Sequence, residues 1–98
     1  MLHIVNKSSL ERNALDACLR VATGGTVLLI EDAVYAATRG HASEARIREA
    51  MSRAKVCVLT PDLDARGMGD RLIDGVTGVD YGGFVDLVAE NGNCQSWL

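Results

Sequence analysis

The sequence predicts an α/β fold in which a small, open and mostly parallel sheet carries helices on both faces. Residues 26–30 (TVLLI) form a continuous apolar run, which is typical of a strand covered on both faces in a parallel sheet. Residues 55–59 (KVCVL) predict a further strand. Between and after these runs, apolar residues recur at helical spacing. Strands that alternate with helices in this way favour a parallel sheet with helices packed against it.

The first strand and the first helix are predicted at the start of the chain. Residues 2–5 are a short apolar run, and Ser8 and Glu11 have the spacing of a capping box, which satisfies free N–H groups at a helix start. An apolar stripe follows at helical spacing, formed by Leu10, Ala14, Cys18 and Val21. Gly24 and Gly25 end this helix.

The remaining elements are predicted to be short. Helical segments are expected at residues 33–38, 43–54, 63–66 and 81–90, with a fourth strand within residues 74–79. The last five residues (CQSWL) are interpreted as a tail. All 98 residues are expected to form a single domain, residues 1–98.

Composition excludes several classes of protein. The ten Lys and Arg residues are scattered among thirteen acids, giving a net charge of −3, so direct binding of nucleic acid is not expected. The N-terminus lacks a signal pattern, and no apolar run approaches the ~20 residues of a spanning helix, so a cytoplasmic protein without membrane contact is expected. Apolar residues make up 48% of this small chain, which hints at a partner that covers part of them.

The three cysteines are the main candidates for chemistry. Cys18 lies on the apolar stripe of the first helix, where it is either a small core residue or a sulfur-handling thiol. The second role needs exposure, together with a positive neighbour or a helix N-terminus. Cys57 alternates with two valines along its strand and is expected in the core. Cys94 lies in the polar tail and is expected to be exposed without a dedicated role.

Other polar residues predict structural roles. His3 and His41 lack nearby ligand partners, so no metal is expected, and no glycine-rich loop indicates a nucleotide or other cofactor. The acidic pairs Glu31-Asp32 and Asp62/Asp64 are interpreted as helix caps rather than acid–base groups. Trp97, the only tryptophan, either docks on its own sheet or is buried in a partner.

Several segments, in this order, resemble one family. They read MLHIVNKS, LLIEDAVYAA, PDLDARG, VDYGGFVDL and QSWL, and together they are similar to the DsrH/TusB-like subunits of DsrEFH/TusBCD sulfur-relay complexes. The resemblance implies a flavodoxin-like, DsrEFH-like fold. It also implies a cytoplasmic heterohexamer that contains two copies each of this chain, a DsrE/TusD-like paralogue and a DsrF/TusC-like paralogue.

The same resemblance implies a function. The complex would pass persulfide sulfur from a donor protein to an acceptor protein, for 2-thiolation of the wobble uridine of tRNA or for DsrEFH-type sulfur oxidation. The partner's cysteine would carry the sulfur, which makes this chain a non-catalytic assembly subunit. DsrH-type members carry a cysteine that matches Cys18, so this residue is the candidate for any catalytic role here. The alternative is a stand-alone module that binds a small anion or nucleotide at the carboxyl ends of its strands.

Overall fold

A computed structural model describes residues 1–7 and 14–97, and the predicted fold class is confirmed. The described residues contain a five-stranded sheet in the order β4-β3-β2-β1-β5, and each neighbouring pair of strands is parallel. The strands are β1 (Leu2–Val5), β2 (Thr26–Leu29), β3 (Lys55–Leu59), β4 (Thr77–Val79) and β5 (Cys94–Trp97).

The helices agree with the predicted positions and differ at their ends. They are α1 (Ala14–Val21), a 3₁₀ helix (Glu31–Ala37), α2 (Glu44–Ala50), α3 (Thr60–Ala65) and α4 (Tyr81–Asn91). The α2 helix is shorter than the predicted 43–54, because residues 51–53 form turns before β3. The α3 helix begins earlier than the predicted 63–66, because Pro61 fits its first turn. The predicted capping box at Ser8 and Glu11 lies outside the described residues.

The route of the chain decides which helix covers which face of the sheet. From β1 to β4 the chain moves across the sheet in one direction, and it then returns to add β5 outside β1. Connections between parallel strands are right-handed. Because the chain reverses its direction across the sheet after β4, α4 lies on the face opposite to α1, α2 and α3.

Two core layers follow from this arrangement. The larger layer lies under α1, the 3₁₀ helix, α2 and α3, and includes Val56 and Val58 of β3. The smaller layer lies under α4 and consists of Leu2, Leu28, Cys57 and Leu87, with a few half-buried neighbours. Alternation along β3 thus puts Cys57 opposite its flanking valines. The prediction that Cys57 is a core residue is confirmed.

The interpretation of the last residues as a tail is wrong. Residues 94–97 pair with β1 in parallel, in register from Leu2 opposite Cys94 to Val5 opposite Trp97. The backbone N–H of Leu2 also donates to the carbonyl of Asn93 over 3.0 Å. The exposed side chains of this edge strand are polar, so no apolar pattern marks it in the sequence.

None of the helices in the described ranges has the length and apolar character needed to cross a membrane.

Candidate functional site

Cys18, the predicted sulfur-handling candidate, lies in the larger core layer. It is fully buried on α1, beside Leu15 and Leu19. Burial raises the pKa of its thiol to about 12, so the thiol is protonated at neutral pH. Since the thiolate is the nucleophile in sulfur transfer, this environment favours the structural role. A role for Cys18 in handling sulfur stays a prediction.

The other two cysteines differ in access. Cys57 is buried under α4, and burial raises the pKa of its thiol, with a smaller opposing effect from the charge of Lys55. Cys94 is exposed at the start of β5, as the sequence predicts. All three thiols are free, and Cys94 is the accessible one.

The carboxyl ends of β2 and β3 are joined by a hydrogen bond between distant segments. Glu31 begins the 3₁₀ helix with a left-handed backbone (φ 50°), and its N–H donates to Oδ2 of Asp62 over 2.6 Å. Asp62 therefore caps the 3₁₀ helix rather than its own helix α3. The expectation that Glu31 is a cap is wrong, because it supplies the amide that is capped.

An ion pair strengthens the same connection. Arg66 donates from Nε to Oδ1 of Asp32 over 3.1 Å, and from Nη1 to the carbonyl of Asp62 over 3.0 Å. The EDAVYAA and PDLDARG segments thus form one hydrogen-bonded unit. Asp32 pairs with an arginine here and is not a cap, so its predicted role also needs correction. Because the carboxylates of Asp32 and Asp62 are bound to structural partners, a structural role is favoured over acid–base catalysis.

The histidines also have structural partners. Nδ1 of His3 accepts a hydrogen bond from Nε1 of Trp97 over 3.1 Å, which places Trp97 on its own sheet. Nδ1 of His41 accepts from the N–H of Ser43 over 3.0 Å. Within residues 1–7 and 14–97, no group of three or more His, Cys, Asp or Glu is arranged to hold a metal ion.

The outward side of α4 is apolar and exposed. Its side chains, which we call the α4 surface, are Tyr81, Val85, Val88 and Ala89, together with the half-buried Phe84, which also packs against the smaller core layer. Tyr81 is 61% exposed and Val85 is 67% exposed. The sequence predicts this helix from the helical spacing of Phe84, Leu87 and Val88, and it did not single out the exposed Tyr81 and Val85. The signal was present, because residues 81, 85 and 88 recur at helical spacing.

The geometry defines a small α/β protein in which Asp32, Asp62 and both histidines have structural partners, and in which α4 carries an exposed apolar surface. Comparison with known proteins is consistent with that class. The sequence model of the family described as "DsrH like protein" matches residues 7–94. Protein TusB of Pectobacterium parmentieri is 35% identical over 98 residues, covering 99% of this chain and 100% of the relative. Protein TusB of Salmonella dublin is 37% identical over 76 residues, covering 76% of each chain. The chain therefore belongs to the DsrH/TusB-like family.

Solved structures share the fold. The crystal structure of the ychN protein from E. coli superposes with a TM-score of 0.75 at 19% identity, covering 97% of each chain. MTH1491 from Methanobacterium thermoautotrophicum, titled a protein of unknown function, superposes with a TM-score of 0.66 at 19% identity, covering 97% of this chain and 95% of its own. At 19% identity, both structures show similarity of fold alone.

Proposed function

We propose that this chain is an assembly subunit of a cytoplasmic sulfur-relay heterohexamer. Its companions are a DsrE/TusD-like paralogue and a DsrF/TusC-like paralogue, with two copies of each subunit. The observation that carries the proposal is the match to Protein TusB along nearly the whole chain. The burial of Cys18 and Cys57 supports a division of labour in which a partner's cysteine carries the sulfur.

The chemistry of the complex is transpersulfidation. A thiolate of the partner attacks the outer sulfur of a persulfide on the donor protein, and a new S–S bond forms as the old one breaks. The donor leaves as a thiolate, so sulfur moves without an external oxidant or reductant. This chain contributes by shaping and shielding the cleft in which the partner's persulfide forms.

The destination of the sulfur is the 2-thio group of wobble uridine in tRNA or an acceptor in sulfur oxidation. The curated relatives named TusB favour the tRNA branch. A cysteine at position 18 resembles the DsrH pattern and favours the other branch. With a net charge of −3, the chain does not bind tRNA by itself in this proposal.

Native mass spectrometry of this chain, co-expressed with DsrE-like and DsrF-like paralogues from the same organism, tests the proposal. We expect an assembly with two copies of each subunit. A monomer or homo-oligomer that ignores both partners would contradict the relay function. That result would favour the stand-alone module that binds a small anion or nucleotide.

A further inference from the structure

The face of the sheet under α4 is covered incompletely. Of the described helices, α4 alone packs over this face, although the sheet has five strands. Ile4 and Ile30 lie beside the smaller core layer and remain half-buried. The strands of a parallel sheet are normally covered on both faces. This side of the molecule therefore leaves apolar area that a second protein can cover.

The outward side of α4 adds a second exposed apolar area. Tyr81, Val85 and Val88 are 61%, 67% and 40% exposed, and they form a single stripe along the helix. An exposed stripe of this kind on a small protein marks an interaction site. Tyrosine adds a wide apolar ring with a polar end, which is typical of residues that dominate binding energy.

Charge along α4 indicates what kind of partner fits. Asp86 and Glu90 lie one turn apart on the helix, beside the exposed stripe, and Asp80 caps its N-terminus. The helix carries no basic residue. In a symmetric dimer built on α4, the two copies of the helix would face each other. Neither copy would offer a basic group to the other's Asp86 and Glu90, and these like charges would approach each other. The surface is therefore complementary to a different chain.

We propose that the α4 surface docks another subunit of the relay complex, through an apolar patch that is bordered by Lys or Arg. This inference rests on the proposed function, because it names the surface through which the chain joins its paralogues. The apolar stripe supplies affinity, and the acidic border of Asp86 and Glu90 supplies orientation and rejects a second copy of this chain.

Two arginine substitutions distinguish an effect at the α4 surface from an effect of a surface charge elsewhere on the molecule. Val85→Arg puts a charge into the stripe. Val21→Arg is the matched control, because Val21 is 59% exposed at the end of α1, on the other face of the sheet. We expect Val85→Arg to weaken binding to the partner subunits at least tenfold and Val21→Arg to leave it unchanged. Both variants should melt cooperatively near the wild-type temperature, because both sites are exposed.

A charge reversal tests the acidic border. The double variant Asp86→Lys/Glu90→Lys is expected to slow association with the partners and to remove most of the salt dependence of the association rate. Asp74→Lys is the control, since Asp74 is an exposed acid outside α4. Association that is equally fast in the double variant would overturn the assignment of a basic border to the partner.

The remaining outcomes distinguish the docking surface from the function. A wild-type chain that binds neither paralogue would contradict the proposed function. It would also overturn the docking proposal, because no partner subunit would bind the α4 surface. A wild-type complex that survives Val85→Arg, or that Val21→Arg disrupts equally, overturns the docking surface alone. A homodimer of the isolated chain that Val85→Arg dissociates would identify a second copy as the occupant.

Discussion

The ring nitrogen of His3 connects the first strand to the last. Its Nδ1 accepts the indole N–H of Trp97, so the imidazole is neutral, with its other nitrogen protonated. Burial lowers the pKa of His3, and the nearby N-terminal ammonium lowers it further. Protonation would place a hydrogen on the nitrogen that now accepts, and the bond to Trp97 would be lost.

Acidification is therefore expected to loosen β5 through His3. Because the folded pKa lies below the reference value of 6.5, the stabilisation is intact above pH 6.5. The stabilisation declines as the pH falls below 6.5 toward the folded pKa, because His3 takes up its proton at a higher pH in the unfolded chain than in the folded protein. Fluorescence of Trp97, the only tryptophan, should shift to the red with a midpoint below 6.5. His3→Phe should remove this step and His41→Gln should keep it; a step that persists in His3→Phe would assign it to another group.

The different exposure of the three cysteines predicts an order of thiol reactivity in the isolated chain. Incubation with a persulfide donor should add the mass of one sulfur at Cys94, which is exposed, and none at Cys18. Cys94→Ser should abolish the increment. Cys18→Ser should leave it unchanged while lowering the free energy of unfolding by roughly 1–3 kcal/mol, because a buried hydroxyl would lack a partner. An increment lost in Cys18→Ser and kept in Cys94→Ser would make Cys18 a sulfur carrier.

The elements that the sequence predicts well are those with an apolar signature. The runs at 26–30 and 55–59 correspond to β2 and β3, because strands in the middle of a parallel sheet need apolar side chains on both faces. The β5 strand has no such signature, since Cys94, Gln95 and Ser96 are exposed at the edge of the sheet. Backbone pairing with β1 defines it, and pairing between residues so far apart leaves no local pattern.

The candidate site was less predictable than the fold for a related reason. The bond between Glu31 and Asp62 joins residues from two connections, and nothing in either segment reveals which carboxylate caps which amide. The same holds for the pair of Asp32 and Arg66. The burial of Cys18 matches one of the two roles that its position on the apolar stripe of α1 left open.

The start of α4 depends on a single cap. Oδ1 of Asp80 accepts the N–H of Gly83 over 2.8 Å, which satisfies one of the free amides of the first turn. Asp80→Ala is expected to lower the free energy of unfolding by about 1 kcal/mol, measured by chemical denaturation. Asp80→Asn is the control and should cost less than about 0.5 kcal/mol, because asparagine caps nearly as well. Equal losses in both variants would show that charge, rather than the cap, matters here.

For the whole molecule, coverage of the sheet is unequal. The sequence predicts helices on both faces but not their distribution, which depends on where the last strand is added. Because β5 lies beyond β1, a single crossover reaches the second face, and α4 is its only described cover. The smaller core layer is consequently thin, and Leu87 is the buried residue that α4 contributes to it.

Leu87 is accordingly expected to hold α4 on the sheet. Leu87→Ala should lower the free energy of unfolding by roughly 2–3 kcal/mol, because few neighbours are available to fill the space. Val85→Ala, on the exposed side of the same helix, should cost less than about 0.5 kcal/mol. Hydrogen exchange should show faster opening of α4 in Leu87→Ala than in wild type, while β2 and β3 stay protected. Uniform loss of protection across the sheet would show that the two layers unfold together.

The pairing of β5 with β1 also has a consequence for synthesis. Leu2 and Cys94 are neighbours in the sheet, yet the ribosome makes residues 3–93 between them. During translation, β1 can pair with β2 early, but its other edge stays open until β5 has left the ribosome. An unpaired edge is a template for association with other chains. In a nascent chain of this protein, that hydrogen-bonding edge of β1 therefore stays unprotected until β5 has been synthesised.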